Sequence, residues 1–137
     1  MSTIKTNTLT GTTSAGSIVV TGEGGSTTTN LQQGLTKCWV NFNGTGTIAA
    51  RDSFNFTSLT DNGTGDTTIT IANNMNNANY AHAGSSGGQN STSNGSFYSY
   101  DQQTARTTTL FRTITFDTNG VFNDAPINEC NVNGDLA

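Results

Sequence analysis

Alternation of apolar and polar residues on both sides of an Asn-Gly turn most limits what this chain can fold into. Apolar residues recur at every second position, at Phe54 and Phe56 before the turn and at Ile69 and Ile71 after it. A period of two is typical of a strand with one buried face. The intervening segment 61–66, with the sequence DNGTGD, is rich in residues that favour tight turns. We therefore predict a β-hairpin over residues 54–71.

The remainder of the chain after residue 36 shows the same short strands and turns. Strand-like runs begin at Trp39, at Tyr80 and His82, and over 110–116 and 127–132. Turn signals separate them, and the polar stretch 84–95 is expected to be a low-complexity loop. About seven or eight short strands without a long helix predict an all-β fold: an antiparallel β-sandwich or jelly-roll-like domain over residues 37–137.

Residues 1–36 have a different character, since they contain no aromatic residue and few apolar ones. Residues 17–21 are expected to form one short strand, and the pattern from Thr29 to Gln32 matches a capping box, which predicts a helical turn over 29–33. Such a segment has too little to bury to fold alone. It is either a disordered tail or, as we favour, an extended arm that docks on neighbouring subunits. Its candidate docking residues are Ile4, Leu9, Ile18, Val19 and Val20.

The small content of apolar residues points to an oligomer. Only 31% of the residues are hydrophobic when glycine is left out, and counting glycine but not tyrosine gives about 41%, still below the roughly 45–50% of typical globular domains. The chain is not of the disordered type either, because only 10% of it is charged and Pro126 is its single proline. A thin core offsets chain entropy poorly, so burial against identical copies is expected.

Charge and hydropathy exclude some partners. The net charge is −4, and the basic residues form no stripe, so we expect no binding to nucleic acid. No apolar run approaches the roughly 20 residues of a membrane span, so no membrane insertion is expected. The first residues lack the apolar stretch of a signal peptide, which predicts assembly in a cytoplasm. Cys38 and Cys130 are then expected to be buried thiols.

No constellation of residues predicts catalysis, and we expect a protein that is not an enzyme. His82 is the only histidine, no Gly-x-Ser-x-Gly motif is present, and the aspartates lie mostly at turns, where they cap their own backbone. Two cysteines and one histidine make no metal site, and no cofactor is expected. A structural cation at Asp61 and Asp66 or at segment 117–124 is an alternative to simple polar turns.

Two runs of sequence resemble the signature of a known family. Segment 30–46, NLQQGLTKCWVNFNGTG, and segment 51–66, RDSFNFTSLTDNGTGD, are similar to motifs of small tail-fibre-like virion proteins of marine tailed phages. The resemblance covers residues 30–71. It implies a virion component with a particle-joining N-terminal arm and a trimeric C-terminal β-sandwich. It also implies that Trp39 and Phe42 are core residues. The polar segment 131–135 departs from the family pattern.

A cluster of aromatic and amide residues suggests a receptor site. Rings stack on sugars and amides bond their hydroxyl groups, but the favoured alternative is that these rings complete the core or a subunit interface. The candidate receptor-binding residues flank or lie in the loop 84–95: Tyr80, His82, Gln89, Asn90, Tyr98 and Tyr100. The expected function is a homotrimeric tail-fibre or adhesion subunit of a phage virion that binds host polysaccharide. The alternative is a passive capsid or tail decoration protein.

Overall fold

The computed structural model describes residues 3–88, 97–100 and 106–137, and for 97–100 it describes the backbone only. The prediction of an all-β fold is confirmed, because every regular element in these residues is a strand and none is a helix. The strands form one two-stranded and two four-stranded sheets, all antiparallel. The chain divides into two compact units, Met1–Leu35 and Thr36–Ala137.

The first unit contains a short hairpin. Strand β1, Val19–Thr21, pairs with β2, Thr28–Asn30. The predicted helical turn over 29–33 is wrong at its start, because Thr29 lies in β2. Asn30 acts as the cap instead of Thr29: its Oδ1 accepts hydrogen bonds from the backbone N–H groups of Gln32 at 2.9 Å and Gln33 at 3.3 Å.

One four-stranded sheet of the second unit contains strands that are far apart in sequence. Its spatial order is β4-β3-β10-β7. The central pair joins an early strand to a late one, so residues 38–42 lie beside residues 128–132. Its strands are β3, Cys38–Asn43; β4, Ala49–Phe54; β7, Ala81–Gly87; and β10, Ile127–Asn133.

The other four-stranded sheet has the order β5-β6-β9-β8. It contains the predicted hairpin, in which Leu59 lies opposite Ile69 and the turn includes Gly63 and Gly65 with positive φ angles of 134° and 67°. The hairpin is therefore confirmed over β5 and β6. The strands are β5, Phe56–Gly63; β6, Asp66–Ile71; β8, Phe97–Tyr100; and β9, Leu110–Phe116.

Both four-stranded sheets contribute to one buried cluster. Buried and less buried positions alternate along β3, β6, β9 and β10, as the period of two requires. Threonine supplies part of the buried face of β9, where Thr113 is 2% and Thr115 is 6% exposed. The apolar cluster consists of Cys38, Val40, Phe42, Ile69, Ile71, Met75, Tyr80, Phe111, Cys130 and Val132.

Asn55 is the corner at which the chain passes from one four-stranded sheet to the other. It has a φ angle of 54°, in the left-handed region that asparagine tolerates better than most residues. Its Nδ2 donates to the carbonyl of Lys37 at 2.8 Å, and its Oδ1 accepts from the backbone N–H of Asn73 at 2.7 Å. The prediction of one continuous strand through Phe54 and Phe56 is therefore wrong, because these residues belong to different sheets.

The predicted loop 84–95 is wrong in its first part. Residues 84–87 belong to β7, and Gly84 is paired with Cys130. Strand pairing with β10 outweighs the low strand propensity of Gly and Ser here, since propensity is a weak prior against tertiary context. The rest of that segment, from residue 89, lies outside the described residues.

Candidate functional site

The surface of the first four-stranded sheet that faces away from the core is formed by alternate residues of its strands. Because Cys38, Val40 and Phe42 of β3 are buried, Trp39 and Asn41 point to the opposite face. The resemblance implied two core residues here. Phe42 is in the core with 2% exposure, whereas Trp39 is only half-buried and lies on the outer face.

Strand register aligns further side chains with these two. Asn131 pairs with both Trp39 and Ala83, and Glu129 pairs with both Asn41 and Ser85. Paired residues of antiparallel strands point to the same face. Together they surround a depression of about 500 Å³, within the size range of small-molecule sites. We call it the outer-face groove; its side chains are those of Trp39, Asn41, Ala83, Ser85, Glu129 and Asn131.

A hydrogen-bond network crosses the groove from strand to strand. Glu129 accepts from Asn41 Nδ2 at its Oε1 (2.9 Å) and from Ser85 Oγ at its Oε2 (3.3 Å). Arg51 Nη1 donates to Asn41 Oδ1 at 3.1 Å. Asn41 therefore has both ends of its amide occupied, and its orientation is set by one cation and one carboxylate. The polar side of the groove is held in place before any ligand arrives.

The structure places Tyr80 inside the protein. Its ring is 3% exposed, and its hydroxyl group lies 3.0 Å from the carbonyl oxygens of both Thr107 and Leu110, to which it donates. Arg106 lies over the ring and donates to the Tyr80 carbonyl at 2.6 Å. Burial raises the pKa of Tyr80 to about 12. This position matches the alternative in which the aromatic residues complete the core.

His82 also lies on the inner side of its sheet. It pairs with the buried Val132, and its ring centroid is 5.2 Å from that of Phe111. Burial, and then the positive charge of Arg106, lower the pKa of His82 below its usual value. The half-buried imidazole is therefore packed against the ring of Phe111 on the inner side of the sheet.

The structure describes no side-chain contacts for the four remaining predicted receptor residues. Gln89 and Asn90 lie outside the described residues. For Tyr98 and Tyr100 the structure describes the backbone, which forms part of β8 in the second sheet. The receptor-binding prediction at these four positions stays a prediction.

The predicted docking residues of the first unit are largely uncovered within that unit. The exposed fractions are 85% for Ile4, 61% for Leu9, 59% for Val19 and 49% for Val20. Ile18 is half-buried, and its carbonyl accepts a hydrogen bond from the N–H of Leu31 at 2.8 Å. Apolar side chains with this exposure are available to a partner.

The turn aspartates are engaged by protein groups. Asp66 pairs with Arg112, Asp61 accepts from the N–H of Gly63 at 2.9 Å, and Asp117 accepts from the N–H groups of Asn119 and Val121. In the described parts of the chain, no group of three or more His, Cys, Asp or Glu residues is placed to hold a metal ion. The same residues include no helix that could cross a membrane.

Sequence reasoning missed the outer-face groove because the family resemblance implied that Trp39 was a core residue. The signal was present, since Trp39 shares its alternation with Asn41 rather than with Cys38 and Val40. The pairing with Glu129 and Ser85 was not readable from the sequence, because it joins residues 88 and 44 positions apart.

Comparisons with known proteins give no relative from which a role could be transferred. No family model matches the chain. No curated protein and no solved structure matches it either.

Proposed function

We propose that this chain is a non-enzymatic structural subunit of a phage virion, a tail-fibre or fibre-like adhesion protein that attaches to the particle through residues 1–36. In this proposal the body is a β-sandwich of jelly-roll-like character, and three copies form the working unit. The observation that carries the proposal is the uncovered apolar surface of the first unit, above all at Val19 and Val20.

The physical argument concerns the stability of the β1–β2 hairpin. A two-stranded hairpin is marginally stable in water unless one face packs against something else. All three residues of β1 are exposed within this unit. A partner that covers Val19 and Val20 would supply the missing burial, at roughly 25 cal/mol per Å² of apolar surface. Another virion protein is the partner that the sequence resemblance suggests.

The proposed trimer is supported by the apolar surface of the body. Several large apolar side chains are exposed there, among them Phe54 at 54%, Val121 at 61% and Phe122 at 53%. Contact between identical copies would remove such surface from water, and closed symmetric oligomers are the usual outcome. Sedimentation velocity of the purified chain tests this step, with a trimer as the expected species.

The attachment step is tested on particles. Antibodies against the chain should label one defined place on purified virions in electron micrographs. With Val19→Ser and Val20→Ser together, the label should fall at least about tenfold, because the docking surface becomes polar. Ser58→Ala on the exposed edge strand β5 is the matched control and should label normally. Unlabelled virions from a lysate rich in the protein would contradict the proposal.

A passive decoration role is the second candidate, and the burial of Tyr80 and the packing of the half-buried His82 against Phe111 favour it over a receptor site at those residues. The two roles differ in what happens to particles that lack the protein. A decoration protein predicts normal adsorption to cells and breakage at a lower temperature. An adhesion subunit predicts poor adsorption with unchanged heat resistance.

A further inference from the structure

We infer that the outer-face groove binds a neutral saccharide, with the indole ring of Trp39 as the stacking surface and Glu129, Asn41 and Ser85 as the polar contacts. The inference deepens the proposed function, and it rests on that function only for the source of the saccharide, the host surface. The groove differs from the receptor site predicted at Tyr80 and His82, which lie on the inner side of the sheet.

The ring of Trp39 is the first part of the argument. It is half-buried on a sheet face whose other groove side chains are polar or small. Its strand neighbour Asn131 pairs with Ala83, and the small side chain of Ala83 leaves open space beside the indole. A large flat ring bordering open space can stack on the C–H face of a sugar.

The charge of the groove is the second part. Among the described residues, Glu129 is the only charged one in the groove lining, and both of its oxygens accept hydrogen bonds from neutral groups. This carboxylate inside the groove would repel an anionic ligand, and the basic group of the network, Arg51, is already engaged by Asn41 Oδ1 and the carbonyl oxygen of Pro126. A carboxylate with spare lone pairs, an amide and a hydroxyl group instead match the donors and acceptors of a hydroxyl-rich neutral ligand.

The backbone around the groove is the third part, because it argues against a peptide as the occupant. Trp39 and Glu129 lie on β3 and β10, the two central strands of their sheet. Their main-chain groups are already committed to neighbouring strands on both sides. A peptide could not add itself there as an extra strand. The ligand therefore meets side chains, as a sugar does when it lies across a sheet face.

The network that fixes Asn41 is the fourth part. Arg51 and Glu129 hold the two ends of its amide, so little side-chain entropy remains to be lost on binding. A single site of this size is expected to be weak, with a Kd of about 1 mM. Three copies in one fibre would raise the apparent affinity by about 10²–10⁴ through multivalency.

Binding can be measured at the site itself because Trp39 is the single tryptophan of the chain. The full-length protein is titrated with neutral oligosaccharides, namely linear glucans, galactans, mannans and N-acetylglucosamine oligomers, and with sulfated and uronate oligosaccharides as the anionic arm. We expect at least one neutral oligosaccharide to change the Trp39 emission saturably by about 10 mM. The anionic oligosaccharides should leave the emission unchanged.

One variant adds a bulky side chain inside the groove, and its matched control changes a residue outside the groove. Ala83→Phe adds bulk beside Trp39 at an exposed position and should weaken binding at least about tenfold. Ala49→Phe adds the same bulk at an exposed position outside the groove lining and should bind normally. Trp39→Ala should abolish binding. Because this variant lacks the only tryptophan, its binding is measured by calorimetry. Circular dichroism checks that each variant is folded.

Three results would overturn the inference. They are the absence of any response to the neutral panel, equal binding by Ala83→Phe and the parent chain, and self-association that Ala83→Phe abolishes without any saccharide effect. The last result would assign the groove to a second copy of the chain. Because the titration uses purified protein, its failure leaves the labelling of virions unaffected, and the two proposals can fail separately.

Discussion

Arg112 and Asp66 form an ion pair that joins β9 to β6 on the side of the second sheet that faces away from the core. Arg112 Nε donates to Asp66 Oδ1 at 2.6 Å, and its Nη2 contacts Asp66 Oδ2. This two-point contact fixes the planar guanidinium group against the carboxylate. Because the carboxylate of Asp66 becomes protonated at low pH, the pair also makes the stability of the folded protein depend on pH.

The Asp66→Asn variant tests the contribution of this pair. The hydrogen bond from Arg112, more than any other contact, lowers the pKa of Asp66 below its ordinary value of 3.8. The stabilisation is therefore fully present above pH 3.8 and is lost as the pH falls through the lower folded-state pKa. We expect the variant to lose about 1 kcal/mol of unfolding free energy at pH 7.

Urea unfolding at several pH values provides the measurement. The difference between the parent chain and Asp66→Asn should shrink steadily as the pH is lowered from 4 toward 2, because the parent carboxylate becomes protonated. Asp52→Asn, on an exposed strand of the other sheet, is the control. If the difference in unfolding free energy between the two chains stays constant from pH 4 to pH 2, protonation of Asp66 does not weaken the ion pair, and the prediction is wrong.

The corner at Asn55 predicts different costs for two substitutions. Asn55→Gly keeps the left-handed φ angle but removes the hydrogen bonds to Lys37 and Asn73, and it should cost about 1–3 kcal/mol. Asn55→Ala loses the same bonds and also strains the backbone, which should add about 1 kcal/mol or more. Chemical denaturation of both variants measures the difference. Equal stability of the two would contradict a role for the backbone angle.

The buried hydroxyl group of Tyr80 predicts sensitivity to alkali. Because burial raises the pKa of Tyr80 from 10.0 to about 12, its stabilisation is complete below pH 10 and is lost as the pH rises toward 12. Tyr80→Phe should cost about 1–2 kcal/mol at pH 7, since two carbonyl oxygens lose their shared donor. Its deficit relative to the parent chain should narrow in the alkaline range, as followed by urea unfolding. A deficit unchanged from pH 7 to pH 12 would argue against the buried position.

The two cysteines should resist modification in the folded protein. Cys38 is 0% and Cys130 is 5% exposed, and both are thiols. Burial raises the pKa of the Cys38 thiol to about 11, so little of the reactive thiolate exists at neutral pH. We expect alkylation of the native chain to be about a hundredfold slower than in denaturant, as opening of the core is required. Rapid alkylation of the native chain would contradict the burial of Cys38 and Cys130.

The sequence allowed the hairpin of β5 and β6 to be predicted because local signals agreed there. Ile69 and Ile71 alternate with threonine along β6, and Gly63 and Gly65 lie in the turn where positive φ angles occur. The break at Asn55 could not be predicted from periodicity, since Phe54 and Phe56 keep the alternation while the backbone turns between them. Hydrogen bonds to Lys37 and Asn73, both 18 residues distant, determine that corner.

The candidate site was less predictable than the fold. The family resemblance implied that Trp39 was in the core, but the register of β3 against β10 determines which face it occupies. Tyr80 was proposed from its polar neighbours as a receptor contact, with a place in the core or an interface as the favoured alternative. Its hydroxyl group instead finds carbonyl acceptors inside the protein, which removes the usual cost of burying a polar group.

The pairing of β3 with β10 has a consequence for how the protein is made. Asn41 and Glu129 are 88 residues apart in the chain, so the two central strands of one sheet meet only after nearly all the intervening residues have been synthesised. Closure over such a sequence separation is slow relative to local hairpin formation. During translation, one edge of β3 stays unpaired until β10 has been made. A product that terminates before Ile127 lacks β10 and would be prone to aggregate through this unpaired edge.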